Sequence, residues 1–465
     1  MNRRLRMLIL IAAVCAAGSA AIMFVRYRLE HDLRSNVYIP QHSAITADVE
    51  LLQRYVRIDT QNPPGNETRG AQFLAQILKQ NGIESELIES APGRGNLYAR
   101  IRGKQRGEGL LLLNHIDVVP APAQGWTRPP FAAKIYIDNV WGRGTLDMKG
   151  IAICQLEAFI DVARSGKVPE RDIAFLAVAD EESGSSMGMA LLVEHRPDLL
   201  EGIRYALNEG GVTETFKSEV SYVGIEIGTK MPVNLRLRTR DRATMERTRI
   251  ALEKRMTPPD PDRVLPQVRE YLHDIAPHRH EQGQYLDDVT HTIAAGKFWL
   301  LQPGYRELLQ NVVAPRAIQE DDRGATMDVL MLNLPDEDPD ARIEWLRKEL
   351  ARYGATIDDV TSKMGPAPLS PTNTPFFTLL KNEARRTMGN VTVGPQILAV
   401  STNDSRFLRK RGIAAYGFWP FAVDFNQTQG IHGIDERVRV DWFKSGVKLT
   451  RDLLMTYAFG KLPGH

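Results

Sequence analysis

The sequence predicts an α/β protein: a largely parallel sheet with helices on both faces, plus a smaller α+β domain inserted as a lid. Three observations lead there. Short apolar strands that run into an acid or a histidine recur, and helical spacing or a glycine-rich turn follows them. The chemistry-bearing residues gather just past the C-terminal ends of those strands, where open α/β sheets place their sites. The grammar breaks near Thr229 and returns after Pro366. With 465 residues the chain is too long for one simple core. The division read from it is a segment 1–29, a first half-domain 40–228, an inserted domain 229–364 and a second half-domain 365–462.

The elements follow in order. Met7 to Val25 is almost uninterrupted apolar sequence, with Arg3, Arg4 and Arg6 before it and Arg26 and Arg28 after. It is long enough to span a bilayer, and the early arginines favour a cytoplasmic N-terminus. The expectation is an N-terminal membrane anchor with the body periplasmic or extracellular. Gly18-Ser19-Ala20 offers the rival, a cleaved signal and a secreted body. Helical spacing marks 47–58, Gln61-Asn62-Pro63-Pro64-Gly65 breaks it, and a second helix covers 68–80. Short strands at 84–88 and 96–101 precede the apolar run Leu110–Leu113, which reads as a buried parallel strand and ends in His115-Ile116-Asp117. Residues 134–141 read as a hairpin turning at Asp138-Asn139. Gly142-Arg143-Gly144 then allows a tight path that presents Asp147 ahead of a helix at 150–163. Strand 173–179 ends in Asp180-Glu181-Glu182, and strand 205–208 in Glu209-Gly210-Gly211.

The inserted domain opens with strand 231–238 and a charged helix at 243–255. A Pro-rich break and a polar stretch rich in His and Gln come next. A strand pair at 311–319 and 324–334, a helix at 339–353 and a strand at 355–360 complete it. A helix at 375–388, strands at 395–400 and 413–418 and a helix at 441–458 restore the α/β pattern.

Apolar content of 43%, charged content of 25% and a net charge of +2 describe an ordinary globular body and argue against nucleic acid as a partner. Of the two cysteines, Cys15 lies in the apolar N-terminal run and Cys154 in a helix, so the body carries no internal disulfide. His278, His280 and His291 read as structural or solvent-exposed.

The spacing His115-x-Asp117 along an extended chain turns both side chains to one side, which suits a metal ligand with a carboxylate behind it. Asp147, Glu181, Glu182, Glu209 and the distant His432 complete a set of two histidines and several acids. Acids crowded on one sheet edge repel, and cations resolve that repulsion. Such a set suits two zinc ions per chain sharing one carboxylate bridge.

In His115-Ile116-Asp117-Val118-Val119-Pro120, Gly142-Arg143-Gly144 through Asp147-Met148-Lys149-Gly150, Asp180-Glu181-Glu182, Asn208-Glu209-Gly210-Gly211, Asn403-Asp404-Ser405-Arg406-Phe407 and Ile431-His432-Gly433, the chain resembles the di-zinc peptidases that include glutamate carboxypeptidase, aminoacylase and succinyl-diaminopimelate desuccinylase. It is most similar to the branch of carboxypeptidase S and the N-fatty-acyl-amino-acid hydrolase. The resemblance covers roughly residues 45–228 and 365–460. It implies that His115 and Glu209 hold one zinc, that Glu182 and His432 hold the other, and that Asp147 bridges them through an unusual peptide to Met148. It implies that Asp117 orients His115. It also implies that Glu181 is the general base, taking a proton from the bridging water and passing it to the leaving amine. Short peptides or N-acyl amino acids are the implied substrates, and the inserted domain a possible homodimer contact. Glu436 is either a support behind His432 or a surface acid.

The insert departs from this pattern. Relatives carry a Gly-His-Ser-Ser loop there and a later arginine that grips the substrate carboxylate. Here Leu235 to Arg242 runs straight into a helix, and Leu330 stands where the arginine would be. Arg238, Arg240 and Arg242 are candidate substitutes or plain surface charge. Arg406 and Asn311 are the substrate-side candidates. A metal-binding domain with weak or lost catalysis is the alternative that these departures keep open.

Overall fold

Four consecutive leucines explain the architecture. Leu110 and Leu112 point into one buried cluster, Leu111 and Leu113 into another, so this strand is covered on both faces. Alternation along an extended chain makes that split, and only helices on both sides of a sheet can satisfy it. The neighbouring strand divides likewise, with Ile173, Phe175 and Ala177 on one side and Ala174, Leu176 and Val178 on the other.

The computed structural model describes residues 44–216, 219–254, 258–389, 391–399, 401–423 and 425–463. Ile45–His465 forms one compact unit. In chain order its strands begin with β1 (Glu86–Glu89), β2 (Gly95–Ile101) and β3 (Gln105–His115). The small strands β4 (Lys134–Tyr136) and β5 (Asn139–Trp141) form the expected hairpin. Next come β6 (Arg171–Val178), β7 (Ile203–Asn208), β8 (Thr213–Phe216) and β9 (Glu219–Thr229). The segment expected as an insert, 229–364, supplies β10 (Met231–Thr239), β11 (Val312–Asp321), β12 (Gly324–Asn333) and β13 (Thr356–Lys363). The last are β14 (Thr392–Leu398), β15 (Ala414–Gly417) and β16 (Arg437–Arg439).

The large sheet runs β1-β2-β6-β3-β7-β15-β9-β14, with β8 paired on β9. At its centre β6, β3, β7 and β15 are mutually parallel, so their C-terminal ends share one edge. Helices Lys149–Arg164, Pro375–Met388 and Val440–Phe459 cover one face, and the short helices Met189–His195 and Ser405–Lys410 cover the other. The small sheet of the insert runs β11-β12-β10-β13, all antiparallel. It packs Val233, Leu235 and Leu237 against Met245, Ile343 and Leu346 from its two helices.

The insert is not continuous. Helices Pro266–Ile275, His280–Leu286, Val289–Ala294 and Pro303–Leu309 leave the small sheet and bury their apolar faces in the main cluster. Val268, Leu272 and Ile275 stand on one helical face, and the Tyr271 ring meets that of Tyr222 on β9 at 5.2 Å. The polar stretch between 258 and 310 is therefore the exposed side of helices whose other side belongs to the main body.

The expectation of a membrane anchor with an exported body needs correction. No helix among the described residues is long and apolar enough to cross a membrane. The stretch read as the span, residues 7–25, lies outside the described residues, as does Cys15. Cys154 is buried in its helix, as expected of a small core residue.

Between β9 and β10, where the chain passes from the large sheet to the small one, Lys230 is fully buried and donates from Nζ to the Gln310 carbonyl at 2.5 Å. Burial pulls its pKa down to about 7, against a smaller upward pull from Glu307. The unfolded chain keeps this proton up to about pH 10.5, so between the two values the unfolded state binds more protons and stability rises with pH. Replacing Lys230 by Met is expected to raise stability most at pH 7 and below. The advantage should shrink towards pH 10, as read from urea midpoints across that range.

Candidate metal centre

Five loops deliver the functional side chains to the edge where the parallel strands end. His115 is the last residue of β3. Asp147 closes the glycine-rich loop after β5, and its peptide to Met148 is cis. Asp180 has φ of 69°, a left-handed turn that swings the chain from β6 into Glu181 and Glu182. Glu209 follows β7 and is succeeded by Gly210 and Gly211. A Cβ at Gly211 would lie 2.5 Å from the Gly224 carbonyl oxygen, so only glycine fits. His432, with φ of 56°, comes from the loop before β16.

These side chains converge. Asp147 Oδ1 lies 3.0 Å from His115 Nε2, and Asp147 Oδ2 lies 3.1 Å from His432 Nε2. One carboxylate therefore stands between two histidines that are over 300 positions apart in sequence. Glu209 Oε1 is 3.6 Å from His115 Nε2, and Glu182 Oε2 is 3.1 Å from His432 Nε2. The ligand-type atoms of His115, Asp147 and Glu182 lie within 4.8 Å of one another, as do those of His115, Glu181 and Glu209. His115 is buried, whereas the His432 side chain is 53% exposed, so the cluster opens to solvent on that side.

Two buried acids hold the loops from behind. The Asp117 carboxylate accepts the backbone N–H groups of Glu181 and Glu182, each at 3.1 Å, and Asn62 Nδ2 at 2.9 Å. His115 Nδ1 lies 2.9 Å from the Asp117 carbonyl oxygen and 3.6 Å from its carboxylate, so the backbone carbonyl is the nearer partner. Glu436 is completely buried. It accepts Arg143 Nη1 at 2.6 Å and the N–H groups of Gly144, Leu146 and Asp147 at 2.9, 2.8 and 3.2 Å. It is the support behind the Asp147 loop and not a surface acid.

The charges show how costly this crowding is. Burial, then Glu209 and Asp404, push the Glu181 carboxyl well above the usual carboxylate range. Burial and Asp147 push Glu209 up to about 8. Burial acts on Asp147 in the same direction, but its bonds to His115 and His432 prevail and hold it low. Hydrogen bonds to Asp147 and Glu182 push His432 up to about 11. Burial alone would pull His115 down, yet Glu209, Asp117 and Asp147 together raise it well above its ordinary value.

The sequence reading missed a second layer. Asn62 also donates to Asp180 at 3.0 Å, and Arg94 pairs with both Asp180 and Glu67, at 2.7 and 2.8 Å. The break at Gln61–Gly65 carried Asn62, but nothing local distinguishes a turn asparagine from a buried donor. Asn403 Nδ2 donates to the Glu209 carbonyl at 3.0 Å, and Arg409 pairs with the buried Glu226 at 2.7 Å.

The substrate-side candidates lie apart from one another. Arg406 is buried, donates to Ser185 Oγ at 3.1 Å and stacks 4.3 Å over the Phe407 ring. Its Nε and Nη1 are buried with no hydrogen-bond partner among the described residues. Asn311 sits at the foot of β11, with its amide oxygen accepting the Leu334 N–H at 2.7 Å. Leu330 pairs with Asn234 across the small sheet. Arg238 is engaged by Asp321 and Asp358, Arg240 by Asp241 and Arg242 by Glu320, so these three arginines have acidic partners on the insert itself.

Comparison with known proteins bears on this cluster. The profile of peptidase family M20/M25/M40 matches residues 111–456. The chain is similar to human aminoacylase-1, 28% identical over 436 residues that cover 90% of this chain and 96% of that protein. It is also similar to probable carboxypeptidase S-like 2 of Dictyostelium discoideum, 26% identical over 369 residues, 72% of this chain and 69% of that protein. In fold it resembles an M20 family metallo-carboxypeptidase from Sulfolobus solfataricus, with a TM-score of 0.64 at 20% identity over 89% of this chain and 99% of that one. With the family profile spanning well over half of its length, and covering all six residues from His115 to His432 that meet at the sheet edge, the chain belongs to peptidase family M20/M25/M40 and is a hydrolase.

Proposed function

We propose that this hydrolase uses two zinc ions to cleave the amide bond of short peptides or N-acyl amino acids, with Glu181 as general base. The observation that carries the reading is the Asp147 carboxylate, whose two oxygens face the Nε2 atoms of two different histidines. The donor set fits the cations. Two histidines and three carboxylates suit zinc, and Glu182 Oε1 is buried with no hydrogen-bond partner among the described residues. In this assignment His115 and Glu209 would hold one ion and Glu182 and His432 the other, with Asp147 as the ligand that both would share. Bound there, the cations supply Lewis acidity for the scissile carbonyl and make water far easier to deprotonate near neutral pH.

The chain's own residues do the rest. No hydrogen bond or ion pair engages the Glu181 carboxyl among the described residues, and cations beside it would offset the burial and the acids that push it up, leaving it ionised and able to accept a proton. It takes that proton from the attacking water as the water oxygen bonds to the amide carbon. It returns the proton to nitrogen as the C–N bond breaks, releasing acid and amine. Asp117 fixes the backbone that carries Glu181 and Glu182, and Glu436 fixes the loop that carries Asp147. The Arg406 guanidinium, beside Ser185 of the Glu181 loop and 3.8 Å from Asp404, has Nε and Nη1 without a hydrogen bond among the described residues and is assigned to the substrate carboxylate. The relatives' names, an aminoacylase and a carboxypeptidase S-like protein, support an amide-bond substrate.

One observation favours a second reading, a metal-binding module with weak catalysis. β10 passes into the helix Arg242–Lys254 through Arg240 and Asp241, and neither β10 nor that helix contains a histidine to reach a scissile carbonyl. Losing one such donor costs on the order of 100-fold in rate.

Metal analysis after zinc reconstitution is expected to give about two equivalents per chain, falling for His115→Ala and His432→Ala. A value near zero would remove the assignment. Glu181→Gln should keep both ions yet lower hydrolysis of N-acyl amino acids by at least about 100-fold, whereas Glu182→Gln should lose metal along with activity. Equal residual activity in the wild-type and Glu181→Gln proteins on every substrate tried would transfer the case to the binding module. Glu436→Gln leaves every proposed ligand in place. It is expected to weaken zinc binding by about 10–100-fold in chelator competition.

A further inference from the structure

None of the clustered acids and histidines lines a cavity of about 340 Å³ beside the small sheet. Its walls come from three sources: Val313 and Leu334 of the small sheet, Leu252, Arg342 and Trp345 of its two helices, and Leu309 and Gln310 at the end of the main-body helices. The volume is that of a small-molecule site, and its wall mixes polar groups with an apolar side made by Leu252, Leu309, Val313 and Leu334.

Its polar groups are unusual in being unanswered. Gln310 is 6% exposed, and its Nε2 has no hydrogen-bond partner among the described residues. Arg342 Nε is buried and equally without a partner. The Arg342 guanidinium lies 4.2 Å from the centroid of the Trp345 ring, and no acid within ion-pair distance answers it among the described residues. Burial lowers its pKa, and Glu337 offsets only part of that. Glu337 itself is 3.4 Å from Arg263. Buried donors and an unpaired cation beside an apolar wall are costly unless a ligand satisfies them.

We propose that this cavity is a binding site for a small organic monocarboxylate, its charge on Arg342 and Gln310 and its apolar body against Leu252, Leu309, Val313 and Leu334. The sign follows from the free cation. The single charge follows from the balance of the wall, where Arg263 is taken up by Glu337 and Asp260 is a further acid that disfavours a dianion. The apolar body follows from the wall. Because the cavity joins the small sheet to the main body, a bound carboxylate would fix one against the other. Asn311, a substrate-side candidate from the sequence, also lines this cavity, but the site rests on no residue assigned as a metal ligand.

The test is calorimetry on the full-length, zinc-loaded chain with hexanoate as probe and hexanamide and inorganic phosphate as controls. Saturable hexanoate binding is expected, with hexanamide and phosphate each at least about tenfold weaker, the scale of a lost charge-assisted hydrogen bond. Arg342→Met and Gln310→Leu should each weaken hexanoate severalfold or more while leaving basal hydrolysis unchanged. Val313→Trp, which fills the cavity and leaves Arg342 and Gln310 in the chain, should abolish binding. His432→Ala should leave this binding event in place, which separates it from any carboxylate held at the metal centre. The proposal falls if hexanamide binds as well as hexanoate, if phosphate binds better, or if only His432→Ala changes the isotherm. Absence of any binding, or isotherms unchanged in all three cavity variants, overturns it equally.

Discussion

The need to hold a carboxylate between two histidines, among other carboxylates, governs this structure. Asp147, Glu181, Glu182 and Glu209 crowd one sheet edge, where mutual repulsion and burial both act against them. Such a group can be kept in place only by fixing its backbone, because the side chains themselves would separate. Asp117 and Glu436 do this, each gathering backbone N–H groups from a neighbouring loop. Hydrogen bonds to a charged acceptor in a low-dielectric setting are among the strong ones, and several on one carboxylate make a loop stiff.

That stiffness is anchored in the sheet. β3, β6 and β7 are parallel neighbours with apolar side chains on both faces, so His115, Asp180 and Glu209 leave the sheet at adjacent positions. Register alone sets their spacing, since a one-residue slip would exchange the two buried faces. His432 arrives from the far end of the chain, and Arg143, bound to both Glu436 and the Gly433 carbonyl, ties its loop to that of Asp147.

Much of this was legible in the sequence because apolar runs and motif spacing are local properties. The central strands, the hairpin at 134–141 and the long helices flanking the sheet declare themselves by period. β9 did not. It carries Gly224, Glu226 and Gly228 inside a buried strand, a composition that reads as loop. A Cβ at Gly224 would lie 2.2 Å from Gln396 Oε1, so Gln396, which accepts the Val212 N–H, would have to move. Glu226 is buried against Arg409, a residue nearly 200 positions away. Asn62 and Glu436 were opaque for the same reason: their partners are remote, and burial of a lone polar residue leaves no local signature. The helices between 266 and 309 hid behind their polar faces, although Val268, Leu272 and Ile275 held the necessary spacing.

Those helices change the mechanics of the insert. A domain spliced into one loop is joined to its host by two chain segments, which together act as a single pivot. Here the chain enters the small sheet after Thr229, leaves after the helix Arg242–Lys254, re-enters at Val312 and leaves again after Lys363. Four tethers replace two. All the crossings lie at one end of the small sheet, where Met231 pairs with Asn333, Val312 with Leu332 and Lys363 with Val233, so the sheet is clamped along a single edge by several strands of chain and cannot turn on one pivot. Movement of the small sheet relative to the main body must therefore be shared with the packing of Pro303–Leu309 against the core, so the two parts deform as a coupled frame.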